Sequence, residues 1–424
     1  MKILVIGSGG REHAIALKLS QSARRPALLF APGNPGMAGL GTCHPVAADD
    51  VPGLLALALA EKPDLTVVGP EVPLVKGLVD VFEANGLTVF GPSAAAARLE
   101  GSKAFSKDFM ARHGIPTAAF ETFRDYEAAR KYLDKTGAPV VVKASGLAAG
   151  KGAVVCLTMD EAYAALDSML GPGAVFGEAG SEVVIEEFME GEEASVFAVC
   201  DGERFALLPT AQDHKRAYDD DKGPNTGGMG AYSPAPIMTP ALLEQTRREV
   251  IDPTLKGMRD EGCPYKGVLY VGLMLTSKGP KVVEYNCRLG DPETQCVLPI
   301  HDGDLAELFL GAAKGRIDAA APGQVNGSAA VVVVASGGYP GAYKNGLRIE
   351  GIEAAERVTG VQVLHAGTRM KDGILETAGG RVLGVTGRGA TLREALDAAY
   401  AGVDHVRFEG MHYRKDIGKK GLKG

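Results

Sequence analysis

The chain has 424 residues, a formal net charge of −7 and 46% hydrophobic residues. This length predicts about three domains, and the modest negative charge argues against a nucleic-acid-binding protein that relies on a basic surface. The sequence begins directly with an apolar strand, shows no signal peptide and contains no apolar run long enough to span a bilayer. The six cysteines form no CxxC pair and are typical of buried thiols in a reducing compartment. Together these features predict a soluble cytoplasmic protein without a membrane or nucleic-acid partner.

Residues 1–101 alternate between strand and helix patterns. The predicted strands are 2–6, 27–30, 65–68 and 88–90, and the predicted helices are 11–21, 51–60 and 73–85. Such alternation predicts a parallel, doubly wound sheet, whose ligands lie beyond the carboxyl ends of the strands. Turns rich in glycine and proline stand at those ends, where they let the backbone approach a ligand closely; they are 7–12, 32–36, 69–71 and 91–93.

The first of these turns partly matches a dinucleotide-binding fingerprint. Gly7 and Gly9 fit G-x-G-x-x-G, but Glu12 stands at the third glycine position. The second strand ends in Ala31-Pro32, with no acid for a ribose hydroxyl, so we exclude NAD(P). Two interpretations remain: a helix N-terminus that binds a phosphate with help from Arg11, or simply a tight turn between strand and helix.

A long helical pattern from 93 to 113 and a helix at 126–135 lead to a glycine loop between two strands, at 139–157. Lys143 and Lys151 flank this loop. It is not a Walker A motif, because Gly152 stands where Ser or Thr is required and a strand follows instead of a helix. The loop is either an ordinary hairpin or a lid that closes over a triphosphate with N–H donors and lysines. The two lysines beside so many small residues favour the lid.

The middle of the chain carries acids and a second glycine-rich segment. A strand at 183–188 ends in acids that suit a ribose or an adenine amino group, although an acidic loop is usually just solvated. A hairpin at 195–200 and 204–211 leads to Asp213 and Lys215. The glycine-rich stretch 223–230 then predicts a mobile substrate loop, and a helix follows at 242–260.

The most informative stretch lies in the second half of a predicted hairpin, in which 268–276 is the first strand, 277–280 is the turn and the chain resumes at residue 281. Alternate side chains of a strand share a face, so Glu284, Asn286 and Arg288 point one way. The other face is predicted to be core and contains Val283, Tyr285, Cys287 and Leu289. A carboxylate and an amide suit Mg²⁺, and an arginine suits a carboxylate or phosphate. The alternative is an edge strand with a solvated polar face, which the acidic turn at 290–293 makes less favourable.

The last hundred residues show no catalytic chemistry of their own. A helix at 304–313 precedes a predicted boundary at 322–323. Strands at 329–335 and 381–386 and a helix at 392–405 follow, before a basic end. This segment is interpreted as a packing domain that seals one side of the site.

Taken together, these features resemble the ATP-grasp superfamily and, within it, the phosphoribosylamine–glycine ligase (glycinamide ribonucleotide synthetase) family. The resemblance covers the whole chain and is most specific at 288–293; it also includes 7–13, 32–36, 69–71, 143–152 and 223–230. It implies an α/β ATP-grasp fold with three parts. These are a Rossmann-like doubly wound substrate domain (1–101), an ATP-grasp domain with a lid lobe at about 117–190 (102–325), and a small α+β cap (326–424).

The resemblance also implies a role for individual residues. ATP would be bound by Lys103, Lys143, Gly146, Gly150, Lys151, Gly152, Glu186, Glu187, Phe188 and Glu193. Mg²⁺ or Mn²⁺ would be held by Glu284 and Asn286. The other substrates would face Gly9, Gly10, Arg11, Asn34, Glu71, Lys215, Pro292 and Glu293. Arg288 would stabilise an oxyanion, and Asp213 or Asp291 would hold the glycine ammonium. Gly272 stands where many superfamily members carry a second metal-binding carboxylate, so two ions held by protein carboxylates are not predicted.

The activity implied by the resemblance is ligation of glycine to 5-phosphoribosylamine. ATP would first convert glycine to glycyl phosphate, and the amine would then displace phosphate to give glycinamide ribonucleotide. The resemblance implies a monomer or a homodimer with small-molecule partners only. Two alternatives stay open: another ATP-grasp carboxylate–amine or carboxylation ligase, and an ATP-binding sensor without catalysis.

Overall fold

A computed structural model describes residues 1–148, 152–317 and 323–422. The predicted lid residues Gly150 and Lys151 lie outside these ranges, as does Pro322 of the predicted boundary. None of the helices in the described ranges is long and apolar enough to cross a membrane.

The first hundred residues fold into one parallel sheet, as the alternating pattern predicts. The elements are β1 (Lys2–Gly7), α1 (Gly10–Ser20), β2 (Ala27–Pro32), β3 (Gly41–Cys43), α2 (Val51–Glu61), β4 (Leu65–Val68), α3 (Glu71–Val75), α4 (Leu78–Ala84), β5 (Val89–Phe90) and α5 (Ala94–Gly101). The strand order is β3-β2-β1-β4-β5, and all four pairings are parallel. The doubly wound sheet is therefore confirmed. Its carboxyl edge carries the glycine turns.

Two helices predicted as continuous are interrupted. The helix expected at 73–85 divides into α3 and α4 because Gly77 has φ +82° there, which ends one helix and begins the next. The helix expected at 93–113 divides at Ser102, whose φ of −142° is extended. The Ser102 hydroxyl accepts the N–H of Phe105 and so caps the following helix. Both predictions were wrong at these positions because local capping overrides the apolar period.

The next segment contains α6 (Lys103–Arg112) and then the lobe predicted as a lid at about 117–190. The elements of this lobe are β6 (Phe120–Phe123), α7 (Tyr126–Thr136), β7 (Val140–Ala144), β8 (Ala153–Cys156), α8 (Met159–Leu170) and β9 (Val183–Glu187). The strands form an antiparallel sheet in the order β6-β9-β7-β8. The sequence analysis missed α8, although Thr158 and Glu161 form a capping box at its start.

A second antiparallel sheet faces this lobe across the cavity described below. The elements of this region are β10 (Glu192–Asp201), β11 (Phe205–Leu207), β12 (Gln212–Asp213), β13 (Arg216–Tyr218), β14 (Lys222–Asn225), β15 (Gly230–Ser233), α9 (Pro240–Thr246), α10 (Asp252–Asp260), β16 (Lys266–Thr276), β17 (Gly279–Asn286), α11 (Thr294–Ile300) and α12 (Leu305–Ala313). The sheet order is β11-β10-β16-β17. A π-helical turn at Arg247–Ile251 joins α9 to α10, so the helix predicted at 242–260 is present but not regular.

The last part of the chain builds a third antiparallel sheet. Its elements are β18 (Ser328–Ala335), α13 (Ile352–Glu356), β19 (Val361–His365), β20 (Thr368–Lys371), β21 (Ile374–Thr377), β22 (Arg381–Gly389) and α14 (Leu392–Val403). The strand order is β12-β15-β18-β22-β19, so two strands of the predicted middle domain belong to the sheet of the predicted cap, and β15 pairs directly with β18. The proposed boundary at 325 and 326 therefore crosses a continuous sheet.

Candidate active site

A cavity of about 500 Å³ opens between the two antiparallel sheets and the parallel sheet. It gathers most of the side chains that the sequence analysis selected. These are Arg11, Glu71, Lys103, Lys143, Gly152, Glu186, Glu187, Phe188, Glu193, Asp213, Lys215, Glu284, Asn286, Arg288, Asp291 and Glu293. These residues come from the first two predicted domains, and Arg381 of the third also lines the cavity. The site is thus assembled by tertiary structure from segments nearly three hundred positions apart.

One end of the cavity contains a cluster that we call the lysine end, formed by Lys107, Lys143 and Glu186. Lys143 Nζ lies 2.8 Å from Glu186 Oε1, and Lys107 Nζ lies 3.0 Å from Glu186 Oε2. The Glu186 side chain is only 2% exposed. Burial lowers the pKa of Lys107 to about 8, although Glu186 opposes that shift. Two lysines thus share one carboxylate, which leaves positive charge beside the cavity.

The sequence analysis missed Lys107. It lies one helical turn after the predicted ATP residue Lys103 on α6, and this spacing places both on one helix face. The Lys107 ammonium also donates to Thr117 Oγ1 at 2.7 Å, and Thr117 in turn donates to the Val282 carbonyl. The i, i+4 spacing of the two lysines was a signal that could have identified it.

Lys103 and the glycine hairpin are connected directly. Lys103 Nζ donates to the Gly146 carbonyl at 3.1 Å, and burial lowers the pKa of the Lys103 ammonium. Gly146 itself packs against Ala179, where an added Cβ would lie 2.6 Å from the Ala179 Cα. Gly146 is therefore small for close packing of the hairpin, and it does not line the cavity.

An apolar wall lies next to the lysine end. Phe188 is part of this wall. Glu187 also lines the cavity, and its carboxylate is paired with Lys281 at 2.7 Å. The remaining apolar members are Leu99, Met110, Val141, Leu147, Val155, Met189 and Met274. Of these apolar residues, only Phe188 was predicted as a site residue. Apolar surface with a few polar groups at its edge is typical of a nucleobase pocket.

The strand predicted to carry a metal site shows one departure from simple alternation. Gly272 pairs with Glu284, but the next residue, Leu273, pairs with Val282, so a bulge stands at Val283. Val282 is fully buried in the core, whereas Val283 lines the cavity and its carbonyl accepts from Lys143 at 3.1 Å. The prediction that Val283 lies on the core face was therefore wrong. The bulge shifts the alternation by one position.

Glu284 and Asn286 fit a divalent cation. Both line the cavity from the same side of β17, and within 1–148, 152–317 and 323–422 neither side chain forms a hydrogen bond or an ion pair. Burial raises the pKa of Glu284, but Lys215, Lys143 and Lys103 outweigh it, so the net shift is downward and the carboxylate stays ionised. Among the described residues no three His, Cys, Asp or Glu side chains group around a metal position. The two residues would thus leave coordination positions for phosphate oxygens.

An acidic pocket adjoins these two residues. Lys215 Nζ pairs with Glu193 Oε2 at 2.5 Å, which places both predicted ligands in one ion pair. Burial raises the pKa of Asp213 to about 8, although Lys215 opposes that shift. Burial also raises the pKa of Glu293, which is 4% exposed. The Asp213 carboxylate accepts no hydrogen bond from the described residues, so it is free to receive a donor from a ligand.

The opposite end of the cavity contains what we call the arginine end, formed by Arg288, Glu71 and Glu100. Arg288 Nη2 lies 2.8 Å from Glu100 Oε1, and Arg288 Nε lies 3.5 Å from Glu71 Oε2. Burial opposes the charge of Arg288, but the two carboxylates outweigh it and raise the arginine pKa. One arginine thus faces two acids. Glu100 was not predicted as a site residue.

The first glycine turn lies beside the arginine end but is largely satisfied internally. The Glu12 carboxylate accepts the Gly9 N–H at 2.6 Å and the Arg11 Nε–H at 2.6 Å. An added Cβ on Gly10 would lie 2.9 Å from Gln295 Nε2. The Gly9 donor is therefore already bonded, which favours the tight-turn interpretation over phosphate binding. Only Arg11 of this turn lines the cavity.

Two further predicted substrate residues also lie outside the cavity lining. The Asn34 amide donates to the Ser8 and His365 carbonyls, at 2.9 Å each, so it joins two loops. Pro292 packs against Gly228, where an added Cβ would lie 2.3 Å from the proline Cδ. Short polar residues and turn residues can either bind a ligand or hold loops together, and the sequence alone does not distinguish these two roles.

Comparison with known families identifies this arrangement. The N domain, the ATP-grasp (A) domain and the C domain of phosphoribosylglycinamide synthetase match residues 1–100, 101–294 and 329–420. The chain belongs to this family. Proteins named phosphoribosylamine–glycine ligase are similar over the full chain. The one from Rhizobium meliloti is 50% identical over 99% of this chain and 98% of its own length, and the one from Escherichia coli K12 is 51% identical over 100% and 99%.

Solved structures agree with the fold of the phosphoribosylglycinamide synthetase family. The phosphoribosylamine–glycine ligase of Thermotoga maritima superposes with a TM-score of 0.86 and 37% identity, covering 98% of this chain and all of that one (100%). The biotin carboxylase domain of Hydrogenobacter thermophilus 2-oxoglutarate carboxylase superposes with a TM-score of 0.74 at 18% identity, covering 97% of this chain and 91% of that one. The second likeness supports the ATP-grasp fold alone.

Proposed function

We propose that this chain ligates glycine to 5-phosphoribosylamine, consuming ATP and releasing glycinamide ribonucleotide, ADP and phosphate. The observation that carries the proposal is full-length identity of 50% to an enzyme named phosphoribosylamine–glycine ligase. The geometry supports it, because a cation-rich end and an acid-rich end share one cavity. A triphosphate suits the first and an amine suits the second.

The first step makes glycyl phosphate. The glycine carboxylate attacks the γ-phosphorus of ATP, and ADP leaves. Lys143 and Lys103 would hold the phosphates, while the apolar wall around Phe188 takes the adenine. Mg²⁺ or Mn²⁺, held by Glu284 and Asn286, would neutralise charge on the transferring group. The glycine hairpin after β7 would cover the phosphates.

The second step forms the amide. The amino group of phosphoribosylamine attacks the acyl carbon, phosphate leaves, and the proton lost by nitrogen passes to phosphate or solvent. Arg288 would stabilise the oxyanion of the tetrahedral intermediate, since its guanidinium lines the cavity and stays charged. Glu71 would orient this guanidinium through their ion pair.

The glycine ammonium has two candidate partners, and the contacts favour Asp213 over Asp291. Asp291 Oδ1 already accepts from Gln295 at 2.7 Å, and its Oδ2 lies 3.3 Å from Arg381. Asp213 has no such partner among the described residues. Its pKa, raised to about 8 by burial, would fall when an ammonium lies beside it, so binding would ionise the acid.

The test is glycine-dependent ADP release, measured with Mg²⁺ or Mn²⁺ while each component is omitted in turn. Phosphoribosylamine is labile and should be regenerated from ribose 5-phosphate and ammonia. ADP release that requires all components and yields glycinamide ribonucleotide supports the proposal. ADP release with bicarbonate or another acid would indicate a different ATP-grasp ligase, and ATP binding without turnover would indicate a sensor. The monomeric or homodimeric state and the cytoplasmic location stay predictions of the sequence.

A further inference from the structure

The cap contributes a charged side chain to the cavity. Among the residues that the structure describes, Arg381 is the one cavity-lining side chain that comes from 326–424. It is the first residue of β22, and its side chain is 23% exposed. The sequence analysis predicted only packing for this part of the chain. A guanidinium carries five N–H donors and therefore can join several acceptors at once.

Arg381 joins two segments that otherwise meet only by packing. Its Nη1 donates to the Gly227 carbonyl at 2.5 Å and to the Asp291 carbonyl at 2.8 Å. Its Nη2 lies 3.3 Å from Asp291 Oδ2. Burial raises the pKa of Asp291, but Arg381 and Arg11 outweigh it and keep the carboxylate ionised. One guanidinium therefore holds both the backbone and the side chain of Asp291.

The glycine segment is held tightly at this contact. Gly228 has φ +108°, which favours glycine, and it stacks on Pro292. The Gly227 N–H donates to the hydroxyl of Tyr339, a second residue of the cap, at 3.1 Å. The segment predicted as a mobile loop is thus bonded on both sides to residues from 326–424. Rigid support of this kind is what holds reacting groups within a few tenths of an ångström.

We propose that Arg381 is a positioning residue for the acceptor amine. It fixes Asp291 and Gly227 as one wall of the cavity at the arginine end. The inference rests on the proposed function. Arg381 contacts neither β7, β8 nor β9, so its loss leaves the ATP contacts of the lid lobe in place. Its effect should therefore fall on phosphoribosylamine and not on ATP.

The experiment compares Arg381→Gln with the wild-type protein and with Arg369→Gln. Arg369 is a matched control, because it is a half-exposed arginine of the same cap, paired with Glu376 at 3.1 Å and absent from the cavity lining. We expect Arg381→Gln to lower kcat/KM for phosphoribosylamine about 100-fold. The KM for ATP should stay close to the wild-type value, the melting temperature should fall only slightly because Asp291 keeps Gln295 and Arg11 as neighbours, and Arg369→Gln should match the wild type throughout.

A double-mutant cycle tests whether Arg381 acts through Asp291. If it does, Arg381→Gln combined with Asp291→Asn loses little more activity than the more damaged single variant. If the activity losses of the two single variants multiply in the double variant, or if kcat/KM falls equally for ATP and phosphoribosylamine, the inference is overturned.

If Arg381→Gln does not fold, Arg381→Lys takes its place. Lysine keeps the charge but lacks the planar fork, so we expect a loss of about 10-fold or more. A wild-type protein that makes no glycinamide ribonucleotide overturns the proposed function as well, whereas an active wild type with an unaffected Arg381→Gln overturns only this inference.

Discussion

Both ends of the cavity contain ion pairs, but the ratio of basic to acidic side chains is reversed between them. At the lysine end, Lys107 and Lys143 share the single carboxylate of Glu186. At the arginine end, Arg288 serves the two carboxylates of Glu71 and Glu100. The first cluster has two basic side chains for one acid, which suits phosphates, whereas the second has two acids for one arginine, with Arg11 as a further cation that acts on Glu71.

The ratio of basic to acidic side chains also determines which side chain can be substituted without leaving its partner unpaired. Removing one lysine from the lysine end leaves a matched pair, so the fold should tolerate it. Removing the arginine from the other end leaves Glu71 and Glu100 without their shared ion-pair partner, although Arg11 still acts on Glu71. A substitution at the lysine end should therefore reduce activity without loss of the fold, whereas substitution of Arg288 should also reduce stability. The following variants test this difference.

The largest effect is expected for Lys143→Met. The variant removes a cation that faces the triphosphate but leaves Glu186 paired with Lys107, so activity should fall without loss of the fold. We expect kcat/KM for ATP to fall roughly 10³-fold, measured by glycine-dependent ADP release. Lys131→Met, an exposed lysine on α7 of the same lobe, should match the wild type. A loss below tenfold would show that the lysine end does not bind phosphate.

The second effect concerns stability at the arginine end. Arg288→Met should lower the free energy of unfolding by about 3 kcal/mol, since it leaves partly buried carboxylates unpaired. Lys107→Met should lower it by about 1 kcal/mol or less, because Glu186 keeps Lys143. Denaturant unfolding of both variants measures the difference. Adding Glu100→Gln to Arg288→Met should restore part of the loss, and equal losses for the two single variants would contradict the comparison.

The third effect lies between the two ends, at the predicted cation site. Glu284→Gln keeps the shape but removes the charge, so the metal concentration needed for half-maximal activity should rise about 10- to 100-fold. A titration with Mg²⁺ and with Mn²⁺ measures it. Glu121→Gln, an exposed acid on β6, provides the matched control. An unchanged metal requirement would remove Glu284 from the metal site.

The last effect is a pH dependence at the lysine end. Burial lowers the folded pKa of Lys107 to about 8, below the ordinary value of 10.5. The unfolded chain therefore holds more protons at this residue between these two values, and stability due to Lys107 rises with pH across that window. The stability of the wild type relative to Lys107→Met should thus increase from pH 8 to about 10.5, as measured by denaturant unfolding. A constant difference would show that the Lys107 pKa is not lowered.

Much of the fold followed from local patterns. The parallel sheet came from regular alternation of strand and helix, and the β7–β8 and β16–β17 hairpins came from apolar runs separated by turn residues. The wrong predictions arose where the conformation of one residue interrupts the repeating pattern of a helix or strand. Gly77 and Ser102 interrupt helices through their backbone conformations. The bulge at Val283 reverses the face of a single residue.

The sequence by itself determined the family, the fold class and the kinds of side chain that the cavity contains. It did so because motifs and periods are short-range properties of the chain. Only the tertiary structure decided which charges meet. Lys107 pairs with Glu186, Arg288 with Glu100, and Arg381 with Asp291. These partners lie too far apart in the sequence for a helix or strand repeat to predict that they meet. The energy of an ion pair depends on distance and burial, and both are set when distant segments pack together.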